Sequence, residues 1–186
     1  MALINAQHIA PAAGFFEPQR QYDWSIEIPL DPQGDQIIIM QSLESSNLPT
    51  ESNEEIELHF ANEVRYVAGK AIYETIPLVL KDFVDQQTKN AMIRWRRRVY
   101  NPETGSVGLA SDYKKNASLV LVGPNGETTR VWRLIGIWPQ MVNYGPLDMT
   151  ASEKVLIEAT LRYDRAVPAE GLNTGLGGIN LGVTTI

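Results

Sequence analysis

Between Lys154 and Asp164 the segment KVLIEATLRYD sets Val155, Ile157, Ala159, Leu161 and Tyr163 at every second position. Side chains of an extended strand alternate between its two faces, so this spacing describes a strand with one buried and one wetted face. A helix would scatter the same side chains around its axis. The period returns in YDWSIEIPL, where Tyr22, Trp24, Ile26, Ile28 and Leu30 alternate with Asp23, Ser25, Glu27 and Pro29. It returns again in EIELHF, with Ile56, Leu58 and Phe60 on one side and Glu55, Glu57 and His59 on the other. A chain with this much alternation is expected to be mainly β, its strands laid over one core.

The connecting segments refine that reading. DPQGD at 31–35 has turn chemistry, and QIIIMQSL after it is apolar on both faces, which predicts a hairpin with a well-covered second strand. SSNLPTESN reads as an exposed loop and ANEVRYVAGK as a second irregular piece. AIYETIPLVL reads as another strand, where Pro77 marks an edge or a bulge because proline cannot donate to a ladder. KNASLVLVGPNGETTRVWRLIGIWP carries an Asn125-Gly126 turn between two β-rich runs, the strongest short hairpin signal in the chain. Asp82 is placed to cap a helix, Asp85 lies in its first turn, and Val84, Thr88, Ala91, Met92, Trp95 and Val99 form a stripe at helical spacing. Pro102 disfavours helical geometry at Asn101, so this one long helix, over about 83–100, is expected to end near Tyr100.

At 186 residues the chain is long enough for one substantial core. Residues 1–20 mix small, apolar, Pro and Gly positions without a period, which predicts an N-terminal arm ordered only by docking. The β domain is expected over 21–167. The stretch AEGLNTGLGGINLGVTTI is too poor in large side chains for a core of its own, so 168–186 is expected to be a Gly-rich tail, flexible or docked on a neighbour. No internal repeat is present.

Lys and Arg total 16 against 22 Asp and Glu, a net charge of −6. Such a surface repels a polyanion as a whole. Cysteine is absent, which removes disulfides, thiolate metal sites and cysteine nucleophiles and fits assembly in a reducing cytoplasm. The start, MALINAQHIAPAAG, lacks the basic and apolar regions of a secretory signal, and no stretch has the apolar length of a membrane span; a soluble product is expected.

Against this acidic background, RWRRRVYNPETG at 94–105 concentrates Arg94, Arg96, Arg97 and Arg98. At about 100° per residue they cannot share one helix face. Arg97 lies opposite the apolar stripe, Arg94 and Arg98 flank one side of it, and Arg96 flanks the other. The charge is a collar, and Trp95 falls on the stripe, which favours core packing over base stacking. From Gln41 to Glu63 there is no Lys or Arg, while Glu44, Glu51, Glu54, Glu55, Glu57 and Glu63 form a complementary negative run. The two runs are either solvated faces or a steered head-to-tail contact between subunits.

Residues for catalysis are scarce. Only His8 and His59 supply imidazole, one in the arm and one on a strand surface, so neither a His-rich metal set nor a Ser-His-Asp arrangement is indicated. Glu54 and Glu55 sit in a charged surface run with no apolar pocket to raise a pKa. GLNTGLGG lacks the flanking strand, helix and Lys-Ser/Thr of a phosphate cradle. Trp24, Trp95, Trp132 and Trp138 read first as core or interface anchors. The leading alternative function is a monomeric β-sandwich module binding carbohydrate or protein, with Trp132, Trp138 and Tyr144 as an exposed platform. No enzyme activity, cofactor or metal is expected.

The order of pieces, EIELHFANEVRYVAGKAIYETIPLVLKD, a helix ending in WRRRVYNPETG, ASLVLVGPNGETTRVWRLIGIWPQMVNYGPLD and a closing EATLRYDRA, resembles the tail tube proteins of contractile-tailed bacteriophages. The similarity covers roughly residues 20–166 and rests on an E-x-x-x-x-N…GK…Y-x-x-I-x-L run, W-R-L-x-x-x-W-P after the Asn-Gly turn, and a final L-R-Y-D strand. The resemblance implies an antiparallel β-sandwich or barrel-like domain with one flanking helix. It implies hexameric rings whose sheets join around a lumen, stacked into a tube that conducts the genome without binding DNA specifically. A long loop between early strands, Ser45 to Lys70 here, is expected to reach the adjacent ring, with Ser45, Asn47, Glu51, Glu54, Glu55, Asn62, Arg65 and Lys70 in that contact. The helix is expected on the outside, where Arg94, Arg96, Arg97 and Arg98 meet another tube subunit or the sheath. The implied partners are further copies of the chain, the tail sheath, and baseplate and terminator proteins. The implied location is the virion tail, assembled in the bacterial cytoplasm, and a type VI-like injection tube shares the same features.

Overall fold

The computed structural model describes residues 19–85, 87–150 and 152–169. The expected arm and tail, with His8, lie outside them apart from Gln19, Arg20, Pro168 and Ala169. Along the described residues the order is β1 (Trp24–Glu27), α1 (Gln33–Ser42), β2 (Leu43–Ser46), β3 (Glu51–Phe60), β4 (Glu63–Tyr73), β5 (Ile76–Lys81) and α2 (Gln87–Val99). Then come β6 (Tyr100–Asn101), β7 (Ser106–Val107), the single turn α3 (Ala110–Tyr113), β8 (Lys115–Val122), β9 (Thr128–Asn143), β10 (Leu156–Arg162) and β11 (Arg165–Pro168).

The main sheet runs β1-β8-β9-β10-β5-β2, with β11 also on β9, and every pairing is antiparallel. Its central strand, β9, bends at Gly136. Leu134 and Ile137 are both fully buried although they stand three positions apart, which puts them on opposite faces of an unbroken strand. Gly136 takes a φ of 69°, and a Cβ there would lie 2.2 Å from Asp164 Oδ2, so glycine is required on both counts. Lys114 Nζ holds that carboxylate at 2.7 and 2.8 Å, and Asn116 Oδ1 accepts from Gly136 N. The facing strand breaks at the same level, between β10 and β11. Both halves of the sheet therefore turn their apolar faces inward, onto a core that includes Ile26, Leu119, Leu78, Leu80, Ile157 and Leu161. Burying each such side chain contributes about 1.5–3 kcal/mol.

The expected alternation over 155–163 and 24–30, the Asn125-Gly126 hairpin joining β8 to β9, and the helix end at Val99 are all present. Gly126 sits at a φ of 82° in that turn. Helix α2 buries Thr88, Ala91, Met92 and Trp95.

Four local expectations are corrected. QIIIMQSL is helix α1 and not a strand: Asp35, Ile39 and Ser42 are buried at helical spacing while Ile37 is exposed. An apolar run this short fits either period, and the choice is made by a remote partner of Asp35 described below. ANEVRYVAGK is not irregular, since Glu63 onward forms β4 against β3, and AIYETIPLVL is divided between β4 and β5. Strand β5 is an inner strand, yet the β2 ladder stops at Leu78, one residue short of Pro77, so the proline is accommodated where its neighbour ends. The start of α2 moves from Asp82 to Gln87: Asp82 N donates to Val155 O, Asp85 Oδ1 accepts from Gln87 N, and Val84 is fully exposed outside the stripe.

Candidate assembly surfaces

The segment expected to be a long loop is instead a hairpin that pairs with nothing else among the described residues. At about 3.3 Å per residue, β3 extends about 33 Å, whereas a domain of this size has a radius of gyration near ~15 Å. Direct cross-strand partners share a face. One face carries Ile56 with Val67, Leu58 with Arg65, and Phe60 with Glu63; the other carries Glu57 with Tyr66 and His59 with Val64. The Arg65 guanidinium lies 5.5 Å from the Phe60 ring centroid. Nearly every position is exposed, so the alternation read from EIELHF is real but its apolar side meets no core among the described residues.

The hairpin's root is firm. Tyr73 packs its ring against Tyr163 at 5.9 Å and 56°, and Glu74 N donates to Thr50 O. Opposite Glu54 the ladder slips: Gly69 and Lys70 together face that one residue, so β4 carries one residue more than β3 there. A Cβ on Gly69 would approach Glu54 O to 2.9 Å, so glycine lets the bulge close. Of the expected contact residues, Ser45 lies on β2 opposite Val79 and Asn47 in the following connection. Glu51, Glu54, Glu55, Arg65 and Lys70 ride on the hairpin, and Asn62 is in its tip turn beside Ala61, which has a φ of 49°.

The arginine collar is partly self-satisfied. Arg94 grips buried Asp35 of α1. Arg97 pairs with Glu103 at 3.0 Å, and Arg98 Nη2 donates to Asp31 O at 2.6 Å. Arg96 Nη1 is buried without a hydrogen-bond partner among the described residues. Burial pushes the Tyr144 hydroxyl above its usual range, and the charges of Arg96 and Arg97 act against that rise. Trp95 Nε1 donates to Tyr113 O, fixing α3 beside α2.

Sequence reasoning missed a second exposed apolar feature just past the collar. Strands β6 and β7 form a miniature hairpin in which Tyr100 lies directly opposite Val107. Val107 is 75% exposed and Leu109 71%. Gly108 N donates to Val99 O, holding the unit against the helix end. The signal was available in NPETG, a turn segment whose Gly105 adopts a φ of 69°. The sheet edges are a further feature: β1 pairs only with β8 and β2 only with β5 among the described residues, leaving rows of backbone donors and acceptors open.

The tryptophans do not share a platform. Trp24 and Trp132 pack against the core, and Trp138 meets Tyr113 edge-on at 5.7 Å. His59 lies beside Glu57 on the hairpin. Among the described residues no group of His, Asp and Glu gathers as a metal site, and no helix is long and apolar enough to cross a membrane.

Comparison with known proteins accords with this geometry. Residues 21–167 match the family model for the T4-like virus tail tube protein gp19. The tail tube protein of Serratia phage KSP90 is 27% identical over 158 residues, covering 80% of this chain and 88% of that protein. A chain in the cryo-EM structure of the anti-feeding prophage tube-terminating cap shares the fold with a TM-score of 0.66 at 19% identity, covering 84% of this chain and 93% of that one. A chain of the PVC extracellular contractile injection system, in its extended sheath–tube complex, gives a TM-score of 0.62 at 18% identity, covering 89% and 98%. The family match spans the folded sheet, both hairpins and helix α2, and the chain belongs to the T4-like virus tail tube protein gp19 family: it is a tail tube protein of a contractile phage or related injection system.

Proposed function

We propose that copies of this chain close into hexameric rings and that the rings stack into a hollow tube through which the phage genome passes. The observation that carries the reading is the β3–β4 hairpin, solvent-exposed on both faces and paired with no other strand among the described residues. A lone two-stranded hairpin is marginal in water, and a patch of Ile56, Leu58 and Phe60 calls for a cover. The open edges of β1 and β2 are suited to joining sheets of neighbouring copies. In this arrangement the hairpin residues Glu51, Glu54, Glu55, Asn62, Arg65 and Lys70, with Ser45 and Asn47 at its root, contact the adjacent ring. Arg94, Arg96, Arg97 and Arg98 lie on the outer side, against tube or sheath.

The net charge of −6 suits a conduit: a wall that neutralised phosphates would hold DNA instead of releasing it. The role is structural and involves no catalysis. Fold relatives belong to a sheath–tube complex and a tube cap, and we assign the sheath, terminator and baseplate proteins as this chain's partners, in a virion tail assembled in the bacterial cytoplasm. Negative-stain microscopy of the purified protein is expected to show rings or tubes with a central channel. Persistent monomers across salt and concentration would refute the proposal.

A further inference from the structure

We propose that the receptor for the apolar hairpin face is the Tyr100–Leu109 platform of another copy of the same chain, so that the arginine-flanked end of α2 meets tube and not sheath. The inference rests on the tube reading above and names the site to which the hairpin docks. Two observations converge on it. The chain displays two small β-hairpins with uncovered apolar side chains: Ile56, Leu58 and Phe60 on the long one, and Tyr100 and Val107, followed by Leu109, on the short one. Covering either patch takes exposed apolar surface out of water.

The two segments are opposite in net charge. On the long hairpin Glu51, Glu54, Glu55, Glu57 and Glu63 outnumber Arg65 and Lys70; Glu63 lies on the apolar face opposite Phe60, and Glu55 and Glu57 lie on the reverse face. The short one follows Arg96, Arg97 and Arg98 directly, and although Arg97 pairs with Glu103 and Arg98 with Asp31, the segment from Arg96 to Leu109 keeps a positive balance; it is held so close to Arg98 that a Cβ on Gly108 would sit 1.9 Å from Arg98 O. An apolar centre with complementary charged margins excludes water at the middle and steers the approach at the edge. Because the two patches are different surfaces of one chain, the contact is head-to-tail and propagates instead of closing as a two-fold dimer.

The protein has no cysteine, so introduced cysteines report only on themselves. Leu58→Cys and Val107→Cys both fall on exposed positions. The doubly substituted protein, assembled with no other component and then mildly oxidised, is expected to run on a non-reducing gel as a ladder extending past the dimer and to collapse on reduction. Each single variant stops at the dimer or below. A second double variant, Leu58→Cys with Leu147→Cys, uses another exposed apolar residue outside the platform and is expected to give no ladder. Tubes seen by microscopy without a ladder from the first pair, or with an equal ladder from the second, would overturn the platform as the receptor and leave the tube reading standing. Protein that stays monomeric under all conditions would overturn both.

Discussion

Arg94 donates from Nε and Nη2 to the two carboxylate oxygens of Asp35, with the Nε contact at 2.8 Å, across 59 residues of sequence. Asp35 is 2% exposed, so this bidentate pair fixes α1 against α2. The carboxylate beside it raises the already high pKa of Arg94, keeping the partner charged at any working pH.

Arg94→Ala strands the buried carboxylate. Breaking a buried pair costs about 3–5 kcal/mol, and the half-exposed guanidinium places this case near ~3 kcal/mol. Arg97→Ala removes a pair exposed on both sides and is expected to cost less than about 0.5 kcal/mol. Urea unfolding of the two variants under dissociating conditions checks the contrast; equal losses would show that the collar acts as one unit.

The hairpin separates stability from assembly. Ile56, Leu58 and Phe60 are 49%, 40% and 55% exposed, so replacing all three by Ser takes little from the core. The melting temperature of the dissociated subunit is expected to stay within a few degrees of the parent, because surface changes usually lie within about 0.5 kcal/mol. Sedimentation is expected to show the loss of polymer. A variant that still forms full-length tubes would place the stacking contact elsewhere.

Glycine at 108 is set by contact and not by torsion. Gly108→Ala forces a Cβ against the Arg98 carbonyl at 1.9 Å, backbone on backbone, where neither side yields cheaply. A loss of about 1–3 kcal/mol is expected, together with weakened assembly if the short hairpin docks a neighbour. Gly34→Ala, with nothing within 4 Å, is the control and is expected to leave both thermal unfolding and polymer yield unchanged.

The sequence was legible wherever a side chain answers to its own chain's core. Ile157, Ala159 and Leu161 alternate because one face of β10 is dry, and Ala91, Met92 and Trp95 recur at helical spacing because α2 rests on that core. It was misread where the deciding partner is distant or absent. The helical state of α1 depends on Asp35 reaching Arg94, which no local window contains. Strand β4 has no dry face, so nothing enforces alternation across Tyr66 and Val67, and the slip at Gly69 and Lys70 breaks the period further. For the candidate site, the residue types of the two charged runs were plain in the sequence. Their geometry was not: three of the four arginines turn back to Asp35, Glu103 and Asp31, while the hairpin glutamates point away from the core.

Glu44 joins three pieces of the domain and makes their union sensitive to acid. Lys154 donates to Glu44 Oε1, and Lys81 Nζ lies 3.2 Å from Oε2, so the end of the α1–β2 segment is tied to β5 and to the approach to β10. These two ammonium groups, Lys154 first, hold the carboxyl below its ordinary 4.5. A depressed folded-state value stabilises the fold above the ordinary value, and the contribution is lost as pH falls through the lower folded one. Glu44→Gln is therefore expected to melt below the parent at neutral pH, with the gap narrowing once the pH drops under 4.5 and closing in stronger acid. Thermal unfolding of both proteins from pH 7 down to about pH 3 reads this directly. A gap constant with pH would mean that Glu44 acts through packing or hydrogen-bond geometry and not through its charge.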